Sequence, residues 1–426
     1  MPTWLIPRDE LTPEQLRAIE LSPNEHRVVF GAPGSGKTQV LLYRARYLMD
    51  TWKVAPDRFR IFVFTNVLKH YIRSALHLLD LPEDCVMTFD SWCIDFYRSN
   101  IPGQLPWDQK QRRPDFPKIR RKVVEKLGVK QPSTASRFLG KLWHNPSHSP
   151  RYDFVLVDEG QDLDGTSFEI LRAIARHITV CIDHKQQIYE HGSTKEDILA
   201  KLGLNQVNMS LLEAFRCCPF IVKLSARLIE DAKEREAYLN QSRTFQTERE
   251  APLLYLATDY EDEKRRLIEI LRVRSLNQNE SVAILLPKNN QVYGLAKGIS
   301  EAGIDVETPK NMDFTNNIPK ILTYFGAKGL TFDTVLLPRL VRNSFSRFDD
   351  DRVLRLLFVG ISRATRWVYL SACQGQEIIV LEKLKPLAAE NALTIQTWSS
   401  FSRPKGRKRK DEEPGTPKTE DILDLL

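Results

Sequence analysis

Eight residues near the N-terminus, Gly31-Ala32-Pro33-Gly34-Ser35-Gly36-Lys37-Thr38, constrain this chain more than any other stretch. They fit GxxxxGK[ST], follow the apolar run 27–30 and precede a helix-like segment from Gln39 to Met49. Glycines let such a loop fold tightly, so that its backbone N–H groups and the positive end of the next helix face a phosphate. Gly31, Gly34, Ser35 and Gly36 are therefore the candidate cradle, with Lys37 reaching the β- and γ-phosphates of ATP and Thr38 ligating Mg²⁺. A dinucleotide fingerprint is excluded, because it needs glycine where Gln39 stands.

The surroundings of the loop set the fold class. Short β-branched runs at 28–30, 61–65, 86–89, 154–158 and 180–183 alternate with segments of helical length, and a second series follows at 253–257, 282–286, 334–337 and 368–370. Strands separated by helices imply parallel sheets covered on both faces, here two α/β domains. We expect a first domain over 1–210, carrying a small helical insertion at 93–150, a second over 211–400, and a disordered charged tail at 401–426. No repeat of solenoid period is present.

Charge placement says more than total charge. The chain of 426 residues carries +7, yet 101–151 alone holds twelve Lys or Arg against three acids, a local +9, which leaves about −2 elsewhere. Such a cluster fits a polyanion whose counterions it displaces, although a solvated basic helix has the same composition. No run of eighteen apolar residues and no secretory leader is present, so a cytoplasmic protein without membrane contact is expected. Six scattered cysteines suggest neither a disulfide framework nor a zinc site.

A phosphate loop needs a carboxylate at a strand end, and Val155-Leu156-Val157-Asp158-Glu159 supplies two. Asp158 is the candidate magnesium partner, and Glu159, aimed differently, the candidate general base for water.

With these residues in order, the sequence resembles the UvrD/Rep family of superfamily 1 helicases over most of 11–373, in a compact form. Leu11 to Gln15 resembles the Q motif, Phe64-Thr65-Asn66 motif Ia, Thr88 to Trp92 motif Ib and Asp158 to Asp162 motif II. Asp183 to Tyr189 is similar to motif III, Leu212 to Arg216 to motif IV, Ala327 to Phe332 to motif V and Phe358 to Ala364 to motif VI. The resemblance implies two RecA-like domains with ATP in the cleft between them and 3′ to 5′ translocation on single-stranded DNA. Gln15 and Phe215 would contact adenine, Gly329 would line the nucleotide site, Gln186 would sense the γ-phosphate, and Arg216 and Arg363 would be its arginines. Phe64, Thr65, Asn66, Thr88, Trp92, Tyr189, His191 and Phe325 would lie along the nucleic acid, where the aromatic ones either stack bases or belong to the core.

The pattern also departs from the family. Asp90 and Phe325 stand where histidines are usual, His191 where a tryptophan often stacks, and Thr331 where a glutamate holds the ribose. The second domain has no room for the large insertion between motifs IV and V, which makes strong unwinding by the isolated chain doubtful. Two readings follow: a magnesium-dependent ATPase that moves on or remodels single-stranded DNA, with RNA as an alternative track, and an ATP-gated binding subunit of a larger repair or phage-defence complex. In the second, the acidic, leucine-rich end of the 401–426 tail is a candidate protein-docking segment. Oligomeric state is not legible.

Overall fold

A computed structural model describes residues 4–31, 34–110, 112–128, 150–183, 192–211, 218–242, 250–277 and 280–397. Its strands are β1 (Arg27–Gly31), β2 (Phe59–Val63), β3 (Val86–Thr88), β4 (Trp107–Asp108), β5 (Arg113–Pro114), β6 (Tyr152–Val157), β7 (Ala175–Ile182), β8 (Met209–Leu211), β9 (Leu253–Ala257), β10 (Val282–Leu286), β11 (Lys320–Thr323), β12 (Phe332–Leu337), β13 (Ala364–Cys373) and β14 (Thr394–Thr397). The helices are α1 (Pro13–Ile19), α2 (Lys37–Trp52), α3 (Asn66–Arg73), α4 (Phe89–Asn100), α5 (Phe116–Lys126), α6 (Gly165–Ile174), α7 (Lys195–Leu202), α8 (Pro219–Ala226), α9 (Ala232–Gln241), α10 (Tyr260–Ser275), α11 (Asn289–Ser300) and α12 (Asp350–Ile361).

Two six-stranded sheets, ordered β3-β2-β6-β7-β1-β8 and β11-β10-β12-β13-β9-β14, organise the molecule, and every strand pair in them is parallel. Numbered within its own domain, each sheet reads 3-2-4-5-1-6, so the fold is one topology used twice. The strands read as continuous apolar runs because helices cover both faces; in β10 all five residues are buried. Polar caps start the helices at the strand ends: Thr65 accepts from Leu68 N, Thr88 from Ser91 N and Asp164 from Ser167 N.

The described part of the expected insertion is tighter than an appendage. Helix α4 is a layer of the first sheet, with Trp92, Cys93 and Tyr97 buried, and α5 lies against α4 and α6 through Ile119 and Val123. Arg120 of α5 binds Asp90 at 2.6 Å and Asp164 at 2.8 Å. Asp90, which replaces the family's usual histidine, is thus occupied by an internal ion pair. Residues 129–149 and the 401–426 tail lie outside the described residues.

Helix α2 is fixed to β7 by a buried cation. Arg44 is fully covered and donates to the carbonyls of Ile19 and Leu21, to Thr179 Oγ1, and toward His177 Nε2. Helix α8 packs on β13 and α12, and Cys218 N donates to Thr365 O. One buried apolar cluster runs from Leu42 and Ile61 in the first domain to Leu285 and Leu357 in the second. The two bodies share a buried seam.

Candidate nucleotide-binding cleft

An open cleft lies along that seam, with Gly36, Lys37, Thr38 and Glu159 on the first-domain side and Gly329, Thr331 and Arg363 on the second. The phosphate loop turns into α2 at Gly36, whose φ of +82° favours glycine, and an added Cβ there would meet the Gln15 amide at 2.5 Å.

Lys37 Nζ donates to Gly31 O at 2.9 Å and to Asp183 Oδ2 at 3.1 Å. Burial disfavours its charge, but Asp183, Glu159 and Asp158 outweigh this and hold the amine above its ordinary pKa. Ser35 Oγ is buried in the same loop and has no hydrogen-bond partner among the described residues, an orphan donor that suits an anion. Thr38 Oγ1 donates to Asp158 Oδ2 at 2.7 Å. Burial, reinforced by Glu159, pushes the Asp158 carboxyl up to about 6. A hydroxyl and a desolvated carboxylate beside a phosphate loop form the oxygen donor set that magnesium takes along with phosphates and waters.

Glu159 occupies a left-handed backbone conformation, φ 53°, at the turn from β6 into the short helix Gly160–Asp162. Such a position costs about 1–3 kcal/mol for a non-glycine residue. Gln161 Nε2 donates to Glu159 Oε2 at 2.5 Å, and Lys328 Nζ lies 3.6 Å from the same oxygen. Burial raises the carboxyl's pKa, but Lys328, Lys37 and Arg363 prevail and hold it below the usual glutamate range. A carboxylate so placed is ionised and able to accept a proton.

Arg363, at the end of α12, is buried; it donates to Val359 O at 3.1 Å, Leu330 O at 3.2 Å and Ser362 Oγ at 3.2 Å. These bonds fix a guanidinium on the far wall from Lys37. Arg216, Phe215, Gln186, Tyr189 and His191 lie outside the described residues.

Three of the expected site residues have side chains engaged within the chain itself. Trp92 is a core residue, 3% exposed, packed among Phe62, Phe89 and Phe96 with its indole N–H on the Tyr152 hydroxyl at 3.0 Å. The helical spacing of 89, 92, 93 and 96 turns it toward the sheet. Thr88 is likewise buried, its hydroxyl paired with Ser91 Oγ and capping α4. Gln15 is engaged at both ends: its carbonyl accepts from Thr12 N and its amide donates to Ser35 O, so it braces the phosphate loop. Phe64, Thr65 and Phe325 are half-buried and Asn66 is exposed. The Arg352 guanidinium lies 5.7 Å from the Phe325 ring.

Sequence reasoning gave no role to Asp183, which holds Lys37, to Gln161, or to Lys328 and Asp162, which meet across the seam at 2.6 Å. All four stand within the quoted motifs, so the signal was present; their partners, 146 residues away for Asp183 and 166 for Lys328, were not.

These features define a two-domain P-loop nucleotide-binding protein. Within that class its first domain resembles UvrD-type helicases: residues 11–144 and 139–203 match the model of the UvrD/REP helicase N-terminal domain. A probable DNA helicase II homolog of Mycoplasma capricolum is 24% identical over 311 residues, covering 54% of this chain and 42% of the relative. A putative ATP-dependent DNA helicase of Acanthamoeba polyphaga mimivirus is 24% identical over 389 residues, covering 85% of this chain and 53% of the relative. The chain thus spans about half the length of these curated relatives. A crystal structure titled as the C-terminal domain of a possible DNA helicase from a Lactobacillus superposes on 43% of this chain and 98% of its own at 16% identity, with a TM-score of 0.34. Among the described residues, no helix is long and apolar enough to cross a membrane.

Proposed function

We propose that the chain is a magnesium-dependent ATPase that couples hydrolysis to movement along, or remodelling of, single-stranded DNA. The observation that carries this reading is the opposition, across one cleft, of Lys37, Thr38 and Glu159 on one domain to Arg363 on the other. A magnesium ion at Thr38 and Asp158 would supply charge neutralisation to the β- and γ-phosphates. Lys37 and the loop N–H groups bind the phosphate oxygens, and Glu159 takes the proton of the attacking water. Arg363 stabilises charge on the transferred group. Closure around the nucleotide and relaxation after hydrolysis give the two domains alternating grips on a strand. The 3′ to 5′ direction and the second arginine, Arg216, rest on the family resemblance.

The alternative, an ATP-gated binding subunit within a larger complex, uses the same cleft as a switch. Its motive is the short span between motifs IV and V, which leaves no room for the large insertion of the family's full-length helicases.

Both readings are tested by ATP turnover at low salt, with and without single-stranded DNA, using Lys37→Ala and Glu159→Gln as inactive controls. We expect stimulation by DNA. Turnover indifferent to any strand would remove the motor, and a parallel RNA arm decides the track.

A further inference from the structure

One buried polar contact across the seam involves two residues given no role above. Lys328, in the loop between β11 and β12, reaches into the first domain, where its Nζ lies 2.6 Å from Asp162 Oδ2 and 3.6 Å from Glu159 Oε2. All three side chains are at least nine-tenths buried, with Lys328 2% and Asp162 0% exposed. Asp162 and Glu159 belong to one tight turn, in which Asp162 N donates to Glu159 O at 2.9 Å. Lys328 therefore grips that turn at two points from a different domain.

The neighbouring residues bind the same loop to other parts of the cleft. Gly329, at φ +81°, presses so closely on α3 that an added Cβ would lie 3.0 Å from Leu68. Leu330 offers the carbonyl that holds Arg363. Three consecutive residues thus touch the turn that carries Glu159, the helix that follows the motif Ia segment, and the second-domain arginine.

We infer that Lys328 is a positioning residue that orients Glu159 for water activation only while the second domain is docked. The inference rests on the ATPase reading above and adds a condition to it. Lys328 and Gln161 both address Oε2 of Glu159, and no described donor addresses Oε1. In the hydrolytic step Glu159 receives the water proton, while the water oxygen bonds to the γ-phosphorus and the bridging oxygen leaves with ADP. When the domains part, Lys328 withdraws, Oε2 loses one of its two anchors, and the carboxylate no longer has a fixed direction. Hydrolysis is then confined to the closed state by a lysine that touches no substrate.

The test compares Lys328→Met, Lys328→Arg and the double variant Lys328→Met/Asp162→Asn. Measured for each are kcat and KM for ATP with saturating DNA, affinity for a fluorescent ATP analogue, and the thermal unfolding midpoint. Removing the lysine alone leaves two buried carboxylates uncompensated and can unfold the seam; the double variant also removes the charge of its 2.6 Å partner Asp162, and the unfolding midpoint reports whether the fold holds. The expected result is a double variant that unfolds near the wild-type temperature and binds the analogue with unchanged affinity, yet has a kcat lower by about 100-fold or more at a KM within a few-fold. Lys328→Arg, which keeps a cation at the seam, should recover most of the lost rate. A double variant that turns over at the wild-type rate would reduce Lys328 to a structural brace and overturn the inference. A wild-type protein inactive with every nucleic acid would instead sink the ATPase reading itself, and it is recognised without any Lys328 variant.

Discussion

The Thr38 hydroxyl donates to Asp158 Oδ2 over 2.7 Å, joining the first turn of α2 to the end of β6 across 120 residues of sequence. The pair stands where a cation on the nucleotide phosphates would find its protein oxygens. Chelation by EDTA should abolish ATP turnover, and added magnesium should restore it. Asp158→Asn should raise the magnesium concentration for half-maximal rate by about 10–100-fold, by analogy with losses seen when metal-site partners are removed. An unchanged magnesium titration in that variant would take Asp158 out of the metal site.

Among the described residues Arg363 donates to Val359 O, Leu330 O and Ser362 Oγ of its own domain, so its guanidinium is pre-positioned and its removal should act on the rate. Arg363→Ala is expected to lower kcat by about 10³-fold or more with KM for ATP within a few-fold, the signature of a group that acts in the transition state. Arg363→Lys keeps the charge but loses the planar fork, and should recover little. Steady-state kinetics with a circular dichroism check of folding decides the matter; a rise in KM alone would make Arg363 a ground-state binder.

Trp92 and Phe325 should separate cleanly. Trp92→Ala empties a core position and should cost about 3–5 kcal/mol of stability, measured by urea unfolding, while leaving the DNA affinity of the folded fraction unchanged. Phe325→Ala, at a half-buried site beside Arg352, should cost little stability and weaken single-stranded DNA binding by about 1–3 kcal/mol in an anisotropy titration. The reverse pattern would return Trp92 to the nucleic-acid path.

His177 gives the first domain an acid limit. Burial, with Arg44, His26 and Arg27 nearby, pushes its pKa down from 6.5 to about 2. Because the folded pKa lies below the unfolded one, the unfolded chain binds the proton first. The contribution to stability is complete above about pH 6.5 and is lost as pH falls, by about 1.4 kcal/mol per unit, or about 2 kcal/mol between pH 6.5 and 5. Urea midpoints across that range should show the slope, and His177→Gln should flatten it; parallel slopes would place the acid sensitivity elsewhere.

The central strands and the phosphate loop were legible because fully covered parallel strands read as unbroken apolar runs; β9 and β10 were bounded correctly from sequence alone. Strands β8, β11 and β14 were not foreseen, since Met-Ser-Leu, Lys-Ile-Leu-Thr and Thr-Ile-Gln-Thr are short edge strands with little pattern to detect. Within the site, Lys37, Thr38, Asp158 and Glu159 could be read from local spacing, because one loop and one strand end carry them. The pairings of Asp183 with Lys37 and of Asp162 with Lys328 could not, because only the folded topology brings them together. Trp92 shows the opposite limit: an aromatic residue in a nucleic-acid motif looks the same on paper whether it faces a base or a sheet.

The doubled 3-2-4-5-1-6 strand order also dictates when the chain can fold. β1 is flanked by β7 and β8, and β9 by β13 and β14, so in each domain the earliest strand finds its neighbours only among the last. During synthesis the phosphate loop must wait until Ile182 has emerged before the ladder on one side of it can close, and until Leu211 for the other. Such long-range closures make folding slow and stepwise, the first domain settling while the second is still being made.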